Sequence, residues 1–223
     1  MRITDIFYSL QGEGPAVGRP AIFIRLAGCN RSCLDCDEKK KYGDRFEETT
    51  PSTVINRVKN YLKTYPNSRI IFTGGEPLLQ SQDINTIISG LPGQIFDIET
   101  NGTIDTETEL FTKFNIIVVS PKKDSFSNLM ESTSFLKHWQ LISDEGRQNI
   151  YFKMVVGSLP WAWSESEVKI LLEKSGVSSS RVWLMPAGDD NNKLIISGKN
   201  TWKVAARLQC NFSDRLHIRN SGK

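Results

Sequence analysis

The sequence has few of the residues on which several classes of function depend. Of its 223 residues only two are histidines, His138 and His217, which disfavours imidazole metal sites and histidine acid–base catalysis. No apolar run reaches the ~20 residues that a membrane helix needs, and residues 1–10 lack the basic-then-apolar layout of a signal peptide. We therefore expect a cytoplasmic protein that has no membrane partner.

A large excess of charge is also missing. Lys and Arg number 28 and Asp and Glu number 25, so the formal net charge is only +3. This balance gives no indication of nucleic acid as a partner. The sequence shows no internal repeat and no interdomain linker, and domains average ~150 residues. We expect a single domain over residues 1–223.

Cysteine is scarce, but its distribution is uneven. There are four cysteines, and Cys29, Cys33 and Cys36 fall within one short stretch, far from Cys210. A disulfide scaffold would need more cysteines spread over a shorter, secreted chain. The three clustered cysteines therefore indicate metal or redox chemistry, whereas a lone cysteine such as Cys210 commonly packs as a small core residue.

Short apolar runs alternate with segments of helical periodicity. The runs are continuous and rich in β-branched residues, which favours strands buried on both faces of a parallel sheet. They cover residues 21–26, 69–73, 95–99, 115–120, 150–156 and 181–185. The helical segments cover residues 52–63, 81–89, 164–174 and 199–208. This order predicts an α/β fold with parallel strands, either open or curled into a partial barrel.

Two stretches lack either pattern, residues 37–50 and 122–134, and both are predicted to be surface loops or inserted pieces. The basic run at residues 39–41 is interpreted as a solvated part of the first loop. In parallel sheets the functional residues collect at the carboxyl ends of the strands and in the loops that follow them.

The cysteines are spaced C-x3-C-x2-C, directly after the predicted strand 21–26 and Gly28. Three thiolates on one loop can bind three irons of a four-iron cluster and leave the fourth iron without a protein ligand. The alternatives are a zinc site, which would need a fourth ligand, and cysteines buried in the core.

This spacing resembles the signature of the radical S-adenosylmethionine (SAM) superfamily. In that superfamily the open iron binds the amino and carboxylate groups of SAM, and reductive cleavage yields a 5′-deoxyadenosyl radical. The run TGGEP at residues 73–77 resembles the motif that binds the SAM amino group. Gly74 and Gly75 allow a close approach of the backbone, and the Glu76 carboxylate can accept a hydrogen bond from an ammonium.

Further motifs resemble the 7-carboxy-7-deazaguanine synthase family. They are SLQGEGP at residues 9–15, FIRLAGC at 23–29, ETNGT at 99–103, SPK at 120–122, FKMVV at 152–156 and LMPAG at 184–188. The similarity covers residues 1–188, and the tail is weaker. It implies an incomplete, TIM-like barrel of mostly parallel strands with a radical SAM core, assembled as a homodimer.

The resemblance also implies a reaction. A carbon–nitrogen lyase of this family converts 6-carboxy-5,6,7,8-tetrahydropterin to 7-carboxy-7-deazaguanine with loss of ammonia, on the route to queuosine-type 7-deazapurines. It uses a [4Fe-4S] cluster, catalytic SAM and Mg²⁺, and it needs an external electron donor such as flavodoxin or ferredoxin. The substrate is a small pterin rather than nucleic acid, which agrees with the balanced charge.

Site residues carry over from the family motifs position by position. Those that fall at pterin positions are Leu10, Gln11, Gly12, Glu13, Arg25, Thr73, Glu99 and Asn101. Those that fall at SAM positions are Asp35, Cys36, Asp37, Gly75, Glu76, Ser120, Pro121, Lys122, Met185, Pro186, Ala187 and Gly188. Arg25 is expected to pair with the substrate carboxylate, because a guanidinium binds a carboxylate in a bidentate manner. Arg25 as a structural arginine, and Glu99 and Asn101 as turn caps, remain open alternatives.

The sequence departs from the family pattern at two places. Glu38 stands where the family usually has a threonine or serine that binds Mg²⁺, and a carboxylate could still bind this ion. Residues 217–223 lack the usual ending that contains tryptophan, which puts the substrate contact of that segment in doubt.

Two other functions remain open at this point. A glycyl-radical-enzyme activase would share the cysteine spacing and the TGGEP run, but it would leave the QGEG run at residues 11–14 and Arg25 unexplained. A zinc-stabilised binding module would share only the cysteines.

Overall fold

A computed structural model describes residues 1–104, 108–123 and 149–220 of the protein. The strands are β1 (Arg2–Leu10), β2 (Pro20–Leu26), β3 (Glu47–Glu48), β4 (Arg69–Gly74), β5 (Phe96–Thr100), β6 (Ile116–Val119), β7 (Asn149–Val156), β8 (Val182–Pro186) and β9 (Asn211–Phe212). Within the covered ranges they form one sheet in the order β3-β1-β2-β4-β5-β6-β7-β8-β9. Most of the predicted loop 122–134 lies outside the described residues, as does His138.

The α-helices occupy the connections between strands. They are α1 (Asp37–Tyr42), α2 (Pro51–Thr64), α3 (Ser81–Ser89), α4 (Thr108–Phe111), α5 (Glu165–Ser175), α6 (Asn191–Leu208) and α7 (Leu216–Asn220). Short 3-10 turns cover Gly14–Ala16, Pro77–Gln80 and Ser179–Arg181. No helix in the described part of the chain has the length and apolar character needed to cross a membrane.

The pairing of the strands confirms the predicted α/β class. From β2 through β4 to β9 every neighbouring pair is parallel, and only β1 and β3 pair antiparallel at one edge. All six predicted strands are present, with ends that shift by one or two residues. The antiparallel strand β1 was not among them, because its sequence mixes buried and half-buried residues instead of forming a continuous apolar run.

Two predictions about local structure were wrong. The stretch 37–50 is not entirely loop, since it contains α1 and β3. Helix α1 begins after Cys36, whose Sγ accepts a hydrogen bond from Lys39 N at 3.4 Å and caps the helix. The last long helix begins at Asn191 rather than at residue 199, because Asp190 caps it and the helix continues through Gly198.

The two faces of the parallel strands have different neighbours. Even-numbered residues of β2 and β4, such as Ile24 and Phe72, pack in the main core with α2 and α3. Odd-numbered residues, such as Phe23 and Ile71, form a separate apolar cluster on the opposite face. Side chains alternate along a strand, so both faces of these strands are buried, as the continuous apolar runs predicted.

The sheet curls so that its two sides meet at one end. Gly14, in the turn after β1, donates its N–H to Ser213 Oγ at 2.8 Å, just beyond β9. Leu216 N donates to Gly12 O at 3.1 Å. These bonds connect the region after β1 to the segment after β9 without any pairing between the strands themselves. The result is the incomplete barrel that was predicted.

A buried ion pair lies on the odd-numbered face, at the amino ends of β4 and β5. Arg69 and Asp97 form a bidentate pair, and both side chains are almost inaccessible to solvent. Removal of one partner from such a pair leaves an uncompensated buried charge.

We expect Asp97→Ala to lower the free energy of unfolding by about 3–5 kcal/mol, because Arg69 would lose its only nearby carboxylate among the described residues. Urea denaturation measures this change. Glu165→Gln, which disrupts the exposed pair with Arg207, serves as the control and should have little effect. A similar small loss in both variants would contradict the prediction.

Candidate active site

A row of polar residues lies at the carboxyl ends of the parallel strands. Arg25, Thr73, Glu99 and Lys153 lie on the odd-numbered face in the second half of β2, β4, β5 and β7, and on β2 and β4 they follow the apolar Phe23 and Ile71 by two positions. Arg25 is directly opposite Thr73 in the sheet register. The interior of the barrel therefore changes from apolar to polar at its carboxyl end, where α/β sheets place their sites.

Glu99 is the centre of the first group of contacts. Its Oε1 accepts from Gln11 Nε2 at 3.1 Å, and its Oε2 accepts from Thr73 Oγ1 at 2.9 Å. Lys153 Nζ lies 3.4 Å from Glu99 Oε1. Three of the predicted substrate residues, from three different parts of the chain, are thus in direct contact.

Glu13 is the centre of the second group. Its Oε2 lies 2.7 Å from Lys153 Nζ, and its Oε1 lies 3.1 Å from Arg215 Nε. Burial by itself raises the pKa of Glu13, but Lys153, Arg215 and His217 together lower it well below the ordinary 4.5. Glu13 is therefore ionised at neutral pH and presents hydrogen-bond acceptors only.

Lys153 connects the two groups. Its side chain is 9% exposed, and burial lowers its pKa, but Glu13 and Glu99 more than reverse this effect. The resulting pKa lies above the ordinary value, so Lys153 is a fixed positive charge rather than a proton acceptor.

The cysteine loop lies beside this row. Asn101, just after β5, donates through Nδ2 to Asn30 Oδ1 at 3.0 Å and lies 3.9 Å from Cys29 Sγ. Cys29 is exposed, and Cys33 and Cys36 are half-buried; none of the three forms a disulfide. Partial burial raises the pKa of Cys29, and nearby Glu76 and Cys36 raise it further.

The loop is packed closely against the TGGEP turn. Gly75 N donates to Leu26 O at 2.9 Å, and Glu76 N donates to Gly28 O at 2.8 Å. A Cβ atom on Gly75 would lie 1.9 Å from Gly28 O, so no side chain fits at this position. The glycine thus serves close packing against the cysteine loop.

Glu76 itself is 0% exposed and fully engaged. Its Oε1 accepts from Thr100 Oγ1 at 2.7 Å and Leu78 N at 3.1 Å, and its Oε2 accepts from Asn101 N at 2.7 Å. Burial raises the pKa of this carboxyl, although these donors and Lys122 oppose the shift. In this structure Glu76 holds the turn that carries Asn101, and its binding of the SAM amino group remains a prediction.

Arg25 is already paired within the protein. Its Nη1 donates to Glu38 Oε2, and its guanidinium lies 5.8 Å from the centre of the Phe7 ring and 5.7 Å from that of Tyr42. Arg25 Nε and Glu38 Oε1 are buried and have no hydrogen-bond partner among the described residues. Each member of this pair therefore has one buried polar atom whose hydrogen-bonding capacity is not used by the described residues.

The residues predicted for SAM lie in the cysteine loop, at the start of α1, in the TGGEP turn and at the carboxyl ends of β6 and β8. Ser120 N donates to Thr100 O at 2.8 Å, and Pro121 O accepts from Trp163 Nε1 at 3.3 Å. Met185 and Pro186 end β8, and Ala187 N donates to Val156 O at 3.2 Å. Asp35 pairs with Lys40, Asp37 pairs with Arg215, and Gly188 O accepts from Arg215 Nη1 at 2.6 Å.

The remaining predicted substrate residues, Leu10 and Gly12, lie on either side of Gln11. Leu10 is half-exposed at the end of β1, beside Gln11. Gly12 packs on His217, since a Cβ atom there would lie 2.4 Å from His217 Nδ1. Among the described residues, no group of three His, Cys, Asp or Glu side chains is close enough together to hold a single metal ion.

Reasoning from the sequence missed three residues of this site. Lys153 carried a signal, because it is a charged residue inside an otherwise apolar run. Arg215 and His217 carried none, since nothing local indicates that they return to Glu13. The scarcity of histidine had even argued against a role for His217.

Comparisons with known proteins agree with the cysteine motif. Residues 10–118 match the family model described as "4Fe-4S single cluster domain". The 7-carboxy-7-deazaguanine synthase of Hyperthermus butylicus is 32% identical over 98% of this chain and 92% of that protein. The synthase of Pyrobaculum aerophilum is 31% identical over 98% and 93%. The crystal structure of QueE from Escherichia coli is similar with a TM-score of 0.67, at 22% identity over 96% of this chain and 92% of that one.

We expect Lys153→Gln to lower the free energy of unfolding by about 3–5 kcal/mol, because Glu13 and Glu99 lose their shared counter-charge. Because the pKa of Glu13 is lower in the folded wild type than the ordinary 4.5, ionised Glu13 stabilises the fold at pH values above 4.5. This stabilisation is lost as the pH falls through the pKa that Glu13 has in the folded state. In the variant that pKa returns toward 4.5, so stability should depend less steeply on acid pH.

Urea titrations over a series of acid pH values measure this slope. Lys169→Gln, which removes an exposed lysine paired with Glu173, is the matched control and should keep the wild-type slope. Equal slopes in Lys153→Gln and wild type would contradict the role given to Lys153.

Proposed function

Because the chain belongs to the 7-carboxy-7-deazaguanine synthase family, we propose that it converts 6-carboxy-5,6,7,8-tetrahydropterin to 7-carboxy-7-deazaguanine with loss of ammonia. One observation carries the proposal for this chain. The carboxyl end of β5 connects the predicted substrate residues to the cysteine loop. Glu99 contacts the substrate residues Gln11 and Thr73, and Asn101 contacts the cysteine loop. A reaction between a small substrate and a cluster-bound cofactor needs this proximity.

The cysteine loop fits a four-iron cluster. It offers three cysteines that form no disulfide, and soft thiolates are the ligands of iron–sulfur clusters. Cys29, Cys33 and Cys36 would hold three irons, and Asn101 Nδ2 would donate toward the Cys29 sulfur. When bound, the cluster and SAM supply reductive cleavage and a radical that abstracts hydrogen from the substrate.

The chain's own residues then bind and orient the pterin. Pterins carry N–H donors on their pyrimidinone ring, and the carboxylates of Glu13 and Glu99 are acceptors that suit them. Lys153 and Arg215 keep the Glu13 carboxylate ionised. Gln11 and Thr73 orient Glu99, and Arg25 is proposed to pair with the substrate carboxylate from the opposite side.

SAM is proposed to lie across the carboxyl ends of β6 and β8, between these substrate residues and the surface. The residues involved are Asp35, Cys36, Asp37, Gly75, Glu76, Ser120, Pro121, Lys122, Met185, Pro186, Ala187 and Gly188. The hydrogen bonds of Ser120 and Ala187 to neighbouring strands support a rigid pocket at this position. A rigid pocket of this kind excludes water from the reactive centre.

Mg²⁺ is proposed to bind at Glu38. Its Oε1 is buried without a hydrogen-bond partner among the described residues, and a carboxylate oxygen is a hard ligand that suits this ion. The neighbouring guanidinium of Arg25 repels a cation, so we expect weaker dependence on Mg²⁺ than an unpaired carboxylate would give.

A titration of the pterin KM against Mg²⁺ tests this site. We expect Mg²⁺ to lower the KM of the wild type several-fold and to have no effect on Glu38→Gln, because an amide is a much weaker ligand for this ion. Glu48→Gln, at an exposed strand position, should respond like the wild type. An unchanged response in Glu38→Gln would remove Glu38 from the metal site.

Other parts of the proposal concern the whole molecule. We propose that residues 1–223 act as one domain, a view supported by contacts between Glu13 near one end and Arg215 near the other. An external donor such as flavodoxin or ferredoxin would reach the cluster through the exposed side of the cysteine loop, where Leu34 is 89% exposed. Assembly as a homodimer in the cytoplasm remains a prediction.

The deciding experiment is anaerobic reconstitution with iron and sulfide, followed by mass spectrometry of the small-molecule product. We expect the wild type to form 7-carboxy-7-deazaguanine without any partner protein except the electron donor, which an activase would not do. Cys33→Ala should lose the iron–sulfur absorbance and the product, because one iron loses its ligand. Cys210→Ala removes a cysteine remote from the loop in sequence and should keep both.

Full cluster content and turnover in Cys33→Ala would overturn the cluster assignment. A colourless wild-type protein loaded with zinc would favour a binding module instead.

A further inference from the structure

Arg215 makes contacts that set it apart from the other charged residues of the segment after β9. Its Nε donates to Glu13 Oε1 at 3.1 Å, its Nη1 donates to Gly188 O at 2.6 Å, and its Nη2 pairs with Asp37. All three nitrogens of the guanidinium are used, and the side chain is largely buried. The fork geometry of arginine permits this arrangement, whereas a lysine offers one compact charge.

The three partners come from different parts of the site. Glu13 belongs to the predicted substrate residues, after β1. Asp37 begins α1 directly after the cysteine loop, and Gly188 follows β8. Arg215 thus contacts both the substrate side and the SAM side of the site.

The segment itself does not depend on Arg215 for its attachment. Leu216 N and Ser213 Oγ bind the turn after β1, at 3.1 and 2.8 Å. Arg219 donates through Nε to Asp214 Oδ2 at 2.9 Å and through Nη2 to Leu194 O at 3.1 Å, which attaches the segment to α6. The segment therefore has attachments that do not involve the Arg215 side chain, whose own contacts all reach into the site.

We propose that Arg215 is a positioning residue that couples the SAM side to the substrate side by holding Glu13, Asp37 and the Gly188 carbonyl in one arrangement. This inference rests on the proposed function. It implies that the loops bind their ligands as a unit, so that SAM cleavage occurs with the pterin correctly placed. Loss of Arg215 frees one oxygen of Glu13 and leaves Asp37, which is 57% exposed, without this contact.

The first test uses Arg215→Gln and Arg215→Lys in the reconstituted holoenzyme. We expect the pterin KM to rise about 10- to 100-fold in Arg215→Gln, the size associated with loss of charge-assisted hydrogen bonds. The amount of 5′-deoxyadenosine released per product should also rise, because cleavage no longer waits for a positioned substrate. Arg215→Lys keeps the positive charge but loses the forked guanidinium, so its KM and its ratio of 5′-deoxyadenosine to product should lie between those of the wild type and Arg215→Gln.

Arg207→Gln is the matched control, since it removes an arginine from an exposed pair with Glu165. It should keep the wild-type KM and product ratio. A purely structural role for Arg215 would reduce the fraction of active enzyme, and hence kcat, but would leave KM and the ratio of 5′-deoxyadenosine to product unchanged.

A second measurement does not require activity. Hydrogen exchange of the cluster-free protein, followed by mass spectrometry, should show faster exchange at residues 12–14 and 37–40 in Arg215→Gln than in Arg207→Gln. The peptide that contains Leu216 should stay protected, because its bond to Gly12 does not involve Arg215.

The outcomes separate this inference from the proposed function. If the wild type forms no product, the proposed function is wrong. The hydrogen-exchange comparison then still tests whether Arg215 positions Glu13 and Asp37. If the wild type is active but Arg215→Gln keeps its KM and product ratio, the coupling role is wrong. Equal exchange in both variants would also overturn it.

Discussion

The site depends on the burial of charge at the carboxyl end of the barrel. Glu13 and Glu99 lie where the sheet is closing, and a buried carboxylate needs a counter-charge, hydrogen-bond donors or both. Lys153 supplies this charge to both carboxylates, and Arg215 supplies a second one to Glu13. Each carboxylate is thus held by cationic side chains from distant parts of the chain, so the fold determines the positions of the acceptors.

The same principle links the core to the cysteine loop. Glu76 is buried beneath the loop, and its carboxylate accepts from Thr100, Asn101 and Leu78. These bonds set the path of the backbone after β5, and Asn101 then contacts Asn30 and Cys29. A buried polar network of this kind specifies one local structure when all of its members are satisfied.

Much of this architecture could be predicted from the sequence, for physical reasons. Strands buried on both faces are continuous apolar runs, and the helical periodicity over residues 164–174 located α5, which begins at a capping box of Ser164 and Glu167. The cysteine spacing indicated a cluster because three thiolates on one short loop can bind three irons, whereas zinc would need a fourth ligand. Loops after strand ends were expected to hold the site, and Thr73, Glu99 and Asn101 do meet there.

Other features depend on contacts between distant parts of the chain and left no local signal. Helix α1 is capped by a cysteine, which is not one of the usual capping residues. The pair of Arg25 and Glu38 joins a strand to a helix, and only the folded structure shows that Arg25 has a partner before any substrate arrives. Arg215 reaches Glu13 from almost the opposite end of the sequence.

The close contact between Gly75 and Gly28 has a consequence for how such proteins diverge. The cysteine loop is fixed at its base, where even a methyl group would collide with a carbonyl oxygen, but its tip at Leu34 faces solvent. Mutations that accumulate over evolution should therefore concentrate between the cysteines at the tip, while the two glycines at the base persist. Side-chain composition can change there without disturbing the cysteine spacing or the sheet below.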